Sequence, residues 1–222
     1  MTFVAFAVSW FLCLGMLLLS ILLLGSTEAH IALLYPPPRG GFGTKGVDWR
    51  VHEFVGYHGY KFPCGGFPKG LNSILKAGQI VPVRFWTSEF KDVKRLPKKS
   101  IGQARHGGGM CEFSLSYDGG KSFHVLATYT RTCPDVAYEW PVRNPDNVPP
   151  CSNLGKCLLS WSWMAALIPQ FYHNCADVTV QGVKNGRLPS KTIQLYNFKG
   201  HKQGVRMSGD GHSRSVGPGP IK

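Results

Sequence analysis

The chain has 222 residues, 43% of them hydrophobic, and a formal net charge of +13. That is enough for one domain with a real core. Its 12 acidic residues include no persuasive catalytic pair, which speaks against an acid–base glycoside hydrolase. The cationic excess invites a nucleic-acid reading. The amino-terminal segment argues instead for export, where positive charge serves solubility or adhesion to anionic wall and matrix surfaces.

Residues 3–24 form a nearly unbroken apolar run with no preceding Lys or Arg. The run is long enough to span a bilayer, so an uncleaved anchor is the alternative to a secretory signal. The polar exit Ser26-Thr27-Glu28-Ala29, with small residues at 27 and 29, favours cleavage after Ala29. His30 would then begin the mature protein. A terminal histidine offers a free amine and an imidazole to one ion, which no internal histidine can do. The expected organisation is a signal peptide over 1–29, a domain over 30–185, and a polar basic tail over 186–222.

After a short entering strand at 31–35, residues 36–63 read as a long Gly/Pro/aromatic loop. Residues 72–77 suggest one helical turn. Residues 79–86 alternate loosely and predict a strand. Residues 91–99 form a basic loop. Residues 111–117 and 123–127 predict a hairpin about Asp118-Gly119-Gly120. Further strands are expected at 158–163 and 177–181. Strands at intervals with Gly/Pro turns predict an all-β, immunoglobulin/fibronectin-III-like antiparallel β-sandwich with long loops. Beyond residue 185 the chain turns polar, and the tail is expected to be disordered. It carries no hydrophobic lipid-anchor signal.

Cys13 lies in the leader. The remaining cysteines, Cys64, Cys111, Cys133, Cys151, Cys157 and Cys175, read as three disulfides in an exported chain. Six cysteines allow fifteen pairings, and spacing does not choose among them. No C-x2-C pair supports zinc.

Three segments carry candidate chemistry. In Ala104-Arg105-His106-Gly107-Gly108-Gly109-Met110-Cys111, the histidine precedes backbone able to approach other groups closely. It could equally be a surface-turn histidine. In Gln170-Phe171-Tyr172-His173-Asn174-Cys175-Ala176-Asp177-Val178, Gln170 and Tyr172 share a strand face, and His173 points away from it. A core tyrosine with a polar neighbour would look the same. In Phe62-Pro63-Cys64, the cysteine could tether the long loop. Trp161 and Trp163 alternate as core residues do. Tyr35, Trp49, Tyr57 and Tyr60 are equally able to stack on sugar rings or to pack the loop down. His52, His58, His124, His201 and His212 read as incidental.

A mature amino-terminal histidine, then His-Gly-Gly-Gly-x-Cys, then Gln-Phe-Tyr-x-Asn-Cys-Ala-x-Val, resembles fungal lytic polysaccharide monooxygenases. The resemblance is closest to auxiliary-activity family 11, the chitin-active group, or a neighbouring clade, and covers roughly residues 30–181. It implies one copper ion held by the amine and imidazole of His30 and the imidazole of His106. Tyr172 matches the axial tyrosine, Gln170 the outer Gln/Glu, and Ala104 a small residue crowding the other axial side. The implied disulfides are Cys64 with Cys175, Cys111 with Cys133, and Cys151 with Cys157. Nitrogen donors in one plane suit Cu(II). The implied partners are insoluble chitin or, second, cellulose, an external electron donor, and dioxygen or hydrogen peroxide. The resemblance implies a secreted enzyme acting outside the cell, most simply as a monomer, and without nucleic acid. A copper-holding or wall-binding relative that does not turn over is the rival reading. Two departures stand out: His173 replaces a methionine, and the segment after Cys133 differs from the family's.

Overall fold

The computed structural model describes residues 31–41, 46–86, 106–135, 137 and 139–208. Among the described residues eight strands run in chain order: β1 (Ala32–Tyr35), β2 (Asn72–Lys76), β3 (Ile80–Trp86), β4 (Gly109–Ser116), β5 (His124–Tyr129), β6 (Glu139–Arg143), β7 (Leu158–Ala165) and β8 (Phe171–Gln181). A 3-10 turn, Trp49–His52, sits in the long first loop. One sheet has the order β1-β3-β6 and the other β2-β8-β7-β4-β5. All pairings are antiparallel except β2 with β8. The expected β-sandwich is therefore present. Its core lies between the sheets and contains Phe85, Phe113, Trp140, Trp161, Trp163 and Tyr172.

β4 and β7 are buried along their whole length. One face of β4 sends Phe113 and Leu115 into the core. The other carries Glu112, Ser114 and Ser116, which are also buried. Such a polar face must be covered and satisfied. Ser114 Oγ and Ser160 Oγ hydrogen-bond each other at 2.6 Å. Glu112 receives the Lys191 ammonium at 2.8 Å and the Gln194 N–H at 2.8 Å.

That cover corrects the expectation of a disordered tail starting at 186. Residues 186–208 are described, and their middle part packs on the domain. Leu195, Tyr196, Phe198, Val205 and Met207 lie against a cluster that includes Met110, Met164 and Phe171. The segment is polar on average, but its few apolar groups fall where the sheet needs covering. Residues 209–222 lie outside the described residues, as do the leader and the basic loop at 91–99.

The segment 72–77 forms strand β2 at a sheet edge and not a helical turn. Leu75 is buried and Ile74 exposed, the period-two pattern of an edge strand, and one isolated helical turn has too few hydrogen bonds to persist. β6 was not anticipated because Pro141 interrupts it. Pro141 lies opposite Pro82 in the β3–β6 register, so the two missing donors coincide, while Trp140 and Val142 point into the core. β8 begins six residues earlier than the predicted strand at 177–181.

The three disulfides are Cys64–Cys175, Cys111–Cys133 and Cys151–Cys157, the pairing implied by the resemblance. The first joins residues 111 apart and ties the long loop to β8. Among the described residues no helix is long and apolar enough to cross a membrane.

Candidate metal centre

His106 sits at the turn that enters β4, with φ 48°, followed by three glycines of positive φ. The glycines are required by close approach. A Cβ on Gly108 would lie 2.0 Å from the Arg131 carbonyl oxygen, and one on Gly109 would lie 2.0 Å from that of Met164. The same approach lets the Gly109 N–H donate to Arg131 O and the Ala166 and Leu167 N–H groups donate to Gly108 O and His106 O. Two other backbone segments, at Arg131 and at 164–167, thus converge on the turn, which fixes the direction of the imidazole.

The ring of His106 stacks on Trp163, with centroids 5.6 Å apart and planes at 16°. Its Nε2 lies 3.2 Å from the Tyr172 hydroxyl. The hydroxyl donates to Gln170 Oε1 at 2.7 Å. Tyr172 is buried, whereas His106 and Gln170 are half-buried. Burial raises the Tyr172 pKa far above its ordinary value, and the nearby Glu53 carboxylate adds to the rise. The phenol is therefore a neutral group here. Phe54 packs edge-on against it at 6.2 Å.

The structure thus brings together His106, Gln170 and Tyr172. His30 and Ala104 lie outside the described residues. β1 begins two residues after His30 and is tied to β8, because the Leu33 N–H donates to Asn174 Oδ1 at 2.9 Å.

Trp161 and Trp163 are core residues, as their alternation suggests. Tyr60 is buried and donates to the His173 carbonyl, so it packs the loop and presents no face to a ligand. Trp49 and Tyr57 are exposed. Tyr57 stacks between Phe54 at 4.7 Å and His58 at 3.9 Å. Among the incidental histidines, His124 is bonded to Pro189 O, His52 to Trp49 O, and His201 rests on Phe198. His212 is outside the described residues. Sequence reasoning missed Glu53 and Phe54. They lie in a loop without periodicity, and only the fold brings them to Tyr172.

His173 occupies the opposite face of β8, as alternation requires. It is packed among Phe62, Phe123 and Phe171, and its Nδ1 accepts the Cys64 N–H at 3.1 Å. Burial pushes its pKa down to about 3, so it is a neutral ring. Its nitrogens and the sulfurs of Cys64 and Cys175 fall within one metal-sized cluster. Both sulfurs are consumed in the disulfide, which removes the thiolate donors such a site would need.

No family model matches the chain. It is 29% identical over 175 residues to an AA11 family lytic polysaccharide monooxygenase A of Aspergillus fumigatus, covering 76% of this chain and 73% of that protein. It is 24% identical over 189 residues to the AA11 family lytic polysaccharide monooxygenase B of the same species, covering 75% of this chain but only 39% of the relative. Among solved structures, the extended catalytic domain of H. jecorina LPMO9A aligns with a TM-score of 0.42 and 17% identity, over 64% of this chain and 62% of that one. A cellulose-active polysaccharide monooxygenase from M. thermophila aligns with a TM-score of 0.41 and 14% identity, over 72% and 78%. The chain is thus a relative, in sequence, of the fungal AA11 lytic polysaccharide monooxygenases.

Proposed function

We propose that the protein is a secreted copper-dependent monooxygenase that cleaves glycosidic bonds oxidatively in an insoluble polysaccharide, chitin first and cellulose second. The observation that carries this reading is the half-buried His106 imidazole, whose Nε2 lies 3.2 Å from a Tyr172 hydroxyl that is itself bonded to the Gln170 carboxamide. The donor chemistry fits copper: an imidazole nitrogen aimed at a neutral phenol, on a turn locked by backbone contacts. His106 would supply one nitrogen and the amine and imidazole of a processed His30 the others.

When bound, copper supplies one-electron chemistry toward dioxygen or hydrogen peroxide. The chain's residues do the rest. Trp163 orients His106 by stacking, as outer groups orient metal ligands generally. Tyr172 would lie beside the bound ion as a neutral phenol, and it holds its proton toward Gln170. Because Gln170 Oε1 is engaged by Tyr172, its NH2 end is the group that would donate to an oxygen reactant. Phe54 and the buried core exclude water from the tyrosine side.

The rival reading is a copper-holding or wall-binding protein that does not turn over. Tyr172 and Gln170 together favour catalysis, because a pure binding site has no use for an amide oriented by the tyrosine next to the imidazole. The test has two parts. Amino-terminal sequencing of the secreted protein should begin at His30. Mass spectrometry of products from insoluble chitin, cellulose and related glycans should find oxidised sugars only with copper, a reductant and an oxidant present. A mature chain beginning at Ile31, or non-oxidised products formed without reductant, would overturn the proposal.

A further inference from the structure

Asn174 joins three separate parts of the chain to β8. Its side chain is buried and uses both ends. Oδ1 accepts the Leu33 N–H at 2.9 Å. Nδ2 donates to the Val51 carbonyl at 2.9 Å and to the Tyr60 hydroxyl at 2.8 Å. Tyr60 in turn donates to the His173 carbonyl at 2.6 Å, which closes the cluster on β8.

Two features make this arrangement more than a satisfied polar group. First, β1 lies at the edge of the three-stranded sheet, and its neighbour β3 covers only one side. The carboxamide of Asn174, from the five-stranded sheet, takes the place of a strand partner for Leu33 on the other side. It is a direct hydrogen bond between the two layers. Second, Asn174 is two residues from Tyr172 and so shares its face, roughly 7 Å away along the strand. Leu33 is three residues from His30. Val51 is two from Glu53 and three from Phe54, which flank Tyr172.

We propose that Asn174 is a positioning residue for the metal centre: its carboxamide sets β1, and the loop carrying Glu53 and Phe54, against the strand that carries Tyr172. The inference rests on the reading of the site as a copper centre. A side chain without a carboxamide would leave a buried N–H, a buried carbonyl and a buried hydroxyl short of partners. β1 would then lose its fixed distance from Tyr172.

The experiment is copper(II) titration with paramagnetic resonance spectra on the processed protein and three variants, alongside metal-free thermal unfolding. Wild-type protein should bind one copper with one spectral species; if it does not, the copper reading fails, and this inference with it. Asn174→Ala should weaken copper binding by about 10–100-fold, the range for loss of an outer-sphere partner, and should give mixed or altered spectra. Asn174→Ser, which keeps a small polar group but cannot span the contacts, should behave likewise should the alanine variant not fold. Val142→Ala, a cavity in the core at β6, should lower thermal stability and leave copper affinity and spectrum at wild-type values. Wild-type copper binding in the Asn174 variants would overturn the inference. So would an equal copper defect in Val142→Ala, because the effect would then follow stability alone.

Discussion

Trp163 lies against Tyr172 with ring centroids 4.6 Å apart and planes at 27°. The two are directly paired across β7 and β8. The same indole stacks on His106 and donates from Nε1 to the Gly108 carbonyl at 3.3 Å. One buried tryptophan therefore orients both His106 and Tyr172 and the glycine turn that supports the first of them. A rigid shell of this kind is what a preorganised metal site requires.

Replacing His106 by alanine removes a proposed ligand while leaving the glycine turn intact. Copper affinity should fall by more than the roughly 10–100-fold that loss of an outer partner costs. A competition titration against a chelator of known affinity measures it. Unchanged affinity would remove His106 from the site.

Tyr172→Phe deletes one hydroxyl and keeps the ring that packs on Trp163. The loss of its bond to Gln170 should cost about 1 kcal/mol of stability. Copper should still bind, with a changed spectrum and slower turnover. Complete loss of copper would instead make the residue part of the framework.

His173 gives the fold a dependence on acid. Its folded pKa is about 3 against an ordinary value near 6.5. Between these values the unfolded chain binds a proton that the folded chain does not. Stability contributed by this group therefore falls as pH drops from about 6.5 toward 3, by up to about 1.4 kcal/mol per pH unit. His173→Phe should flatten that slope, whatever its effect at neutral pH. Denaturant unfolding of metal-free protein between pH 7 and 4 would measure it, and parallel slopes would contradict it.

The ordered carboxy-terminal segment should be needed for folding. Truncation after Pro189 strips Lys191 and the Gln194 N–H from Glu112, which is 1% exposed. Removing that cover also exposes the apolar surface on which Leu195, Phe198, Val205 and Met207 pack, and the loss should cost on the order of a few kcal/mol. Truncation after Ser208 should cost nothing measurable. Melting temperatures of the two truncations decide between a working cover and a dispensable tail.

Much of this arrangement is legible in the sequence because it is local. The hairpin at Asp118-Gly119-Gly120 is written in turn chemistry, and the outward face of His173 in period two. The pairing of cysteines and the grouping of His106 with Tyr172 are not local, and came only through the resemblance. What escaped the reading depends on contacts made elsewhere. β2 is extended because β8 offers it an edge. β6 tolerates Pro141 because Pro82 faces it. Residues 191–207 read as solvated chain until the buried Glu112 gives Lys191 a reason to stay. Asn174 falls within a quoted motif, yet nothing in its neighbours reveals that its partners are Leu33, Val51 and Tyr60.

The Met207 N–H docks on the Ala165 carbonyl, one residue from the Ala166 that bonds to Gly108. Anything fused downstream is thereby launched from the corner that holds His106. A polyhistidine purification handle at that end would compete for the very ion being assayed, so recombinant material is better made with a removable or histidine-free handle.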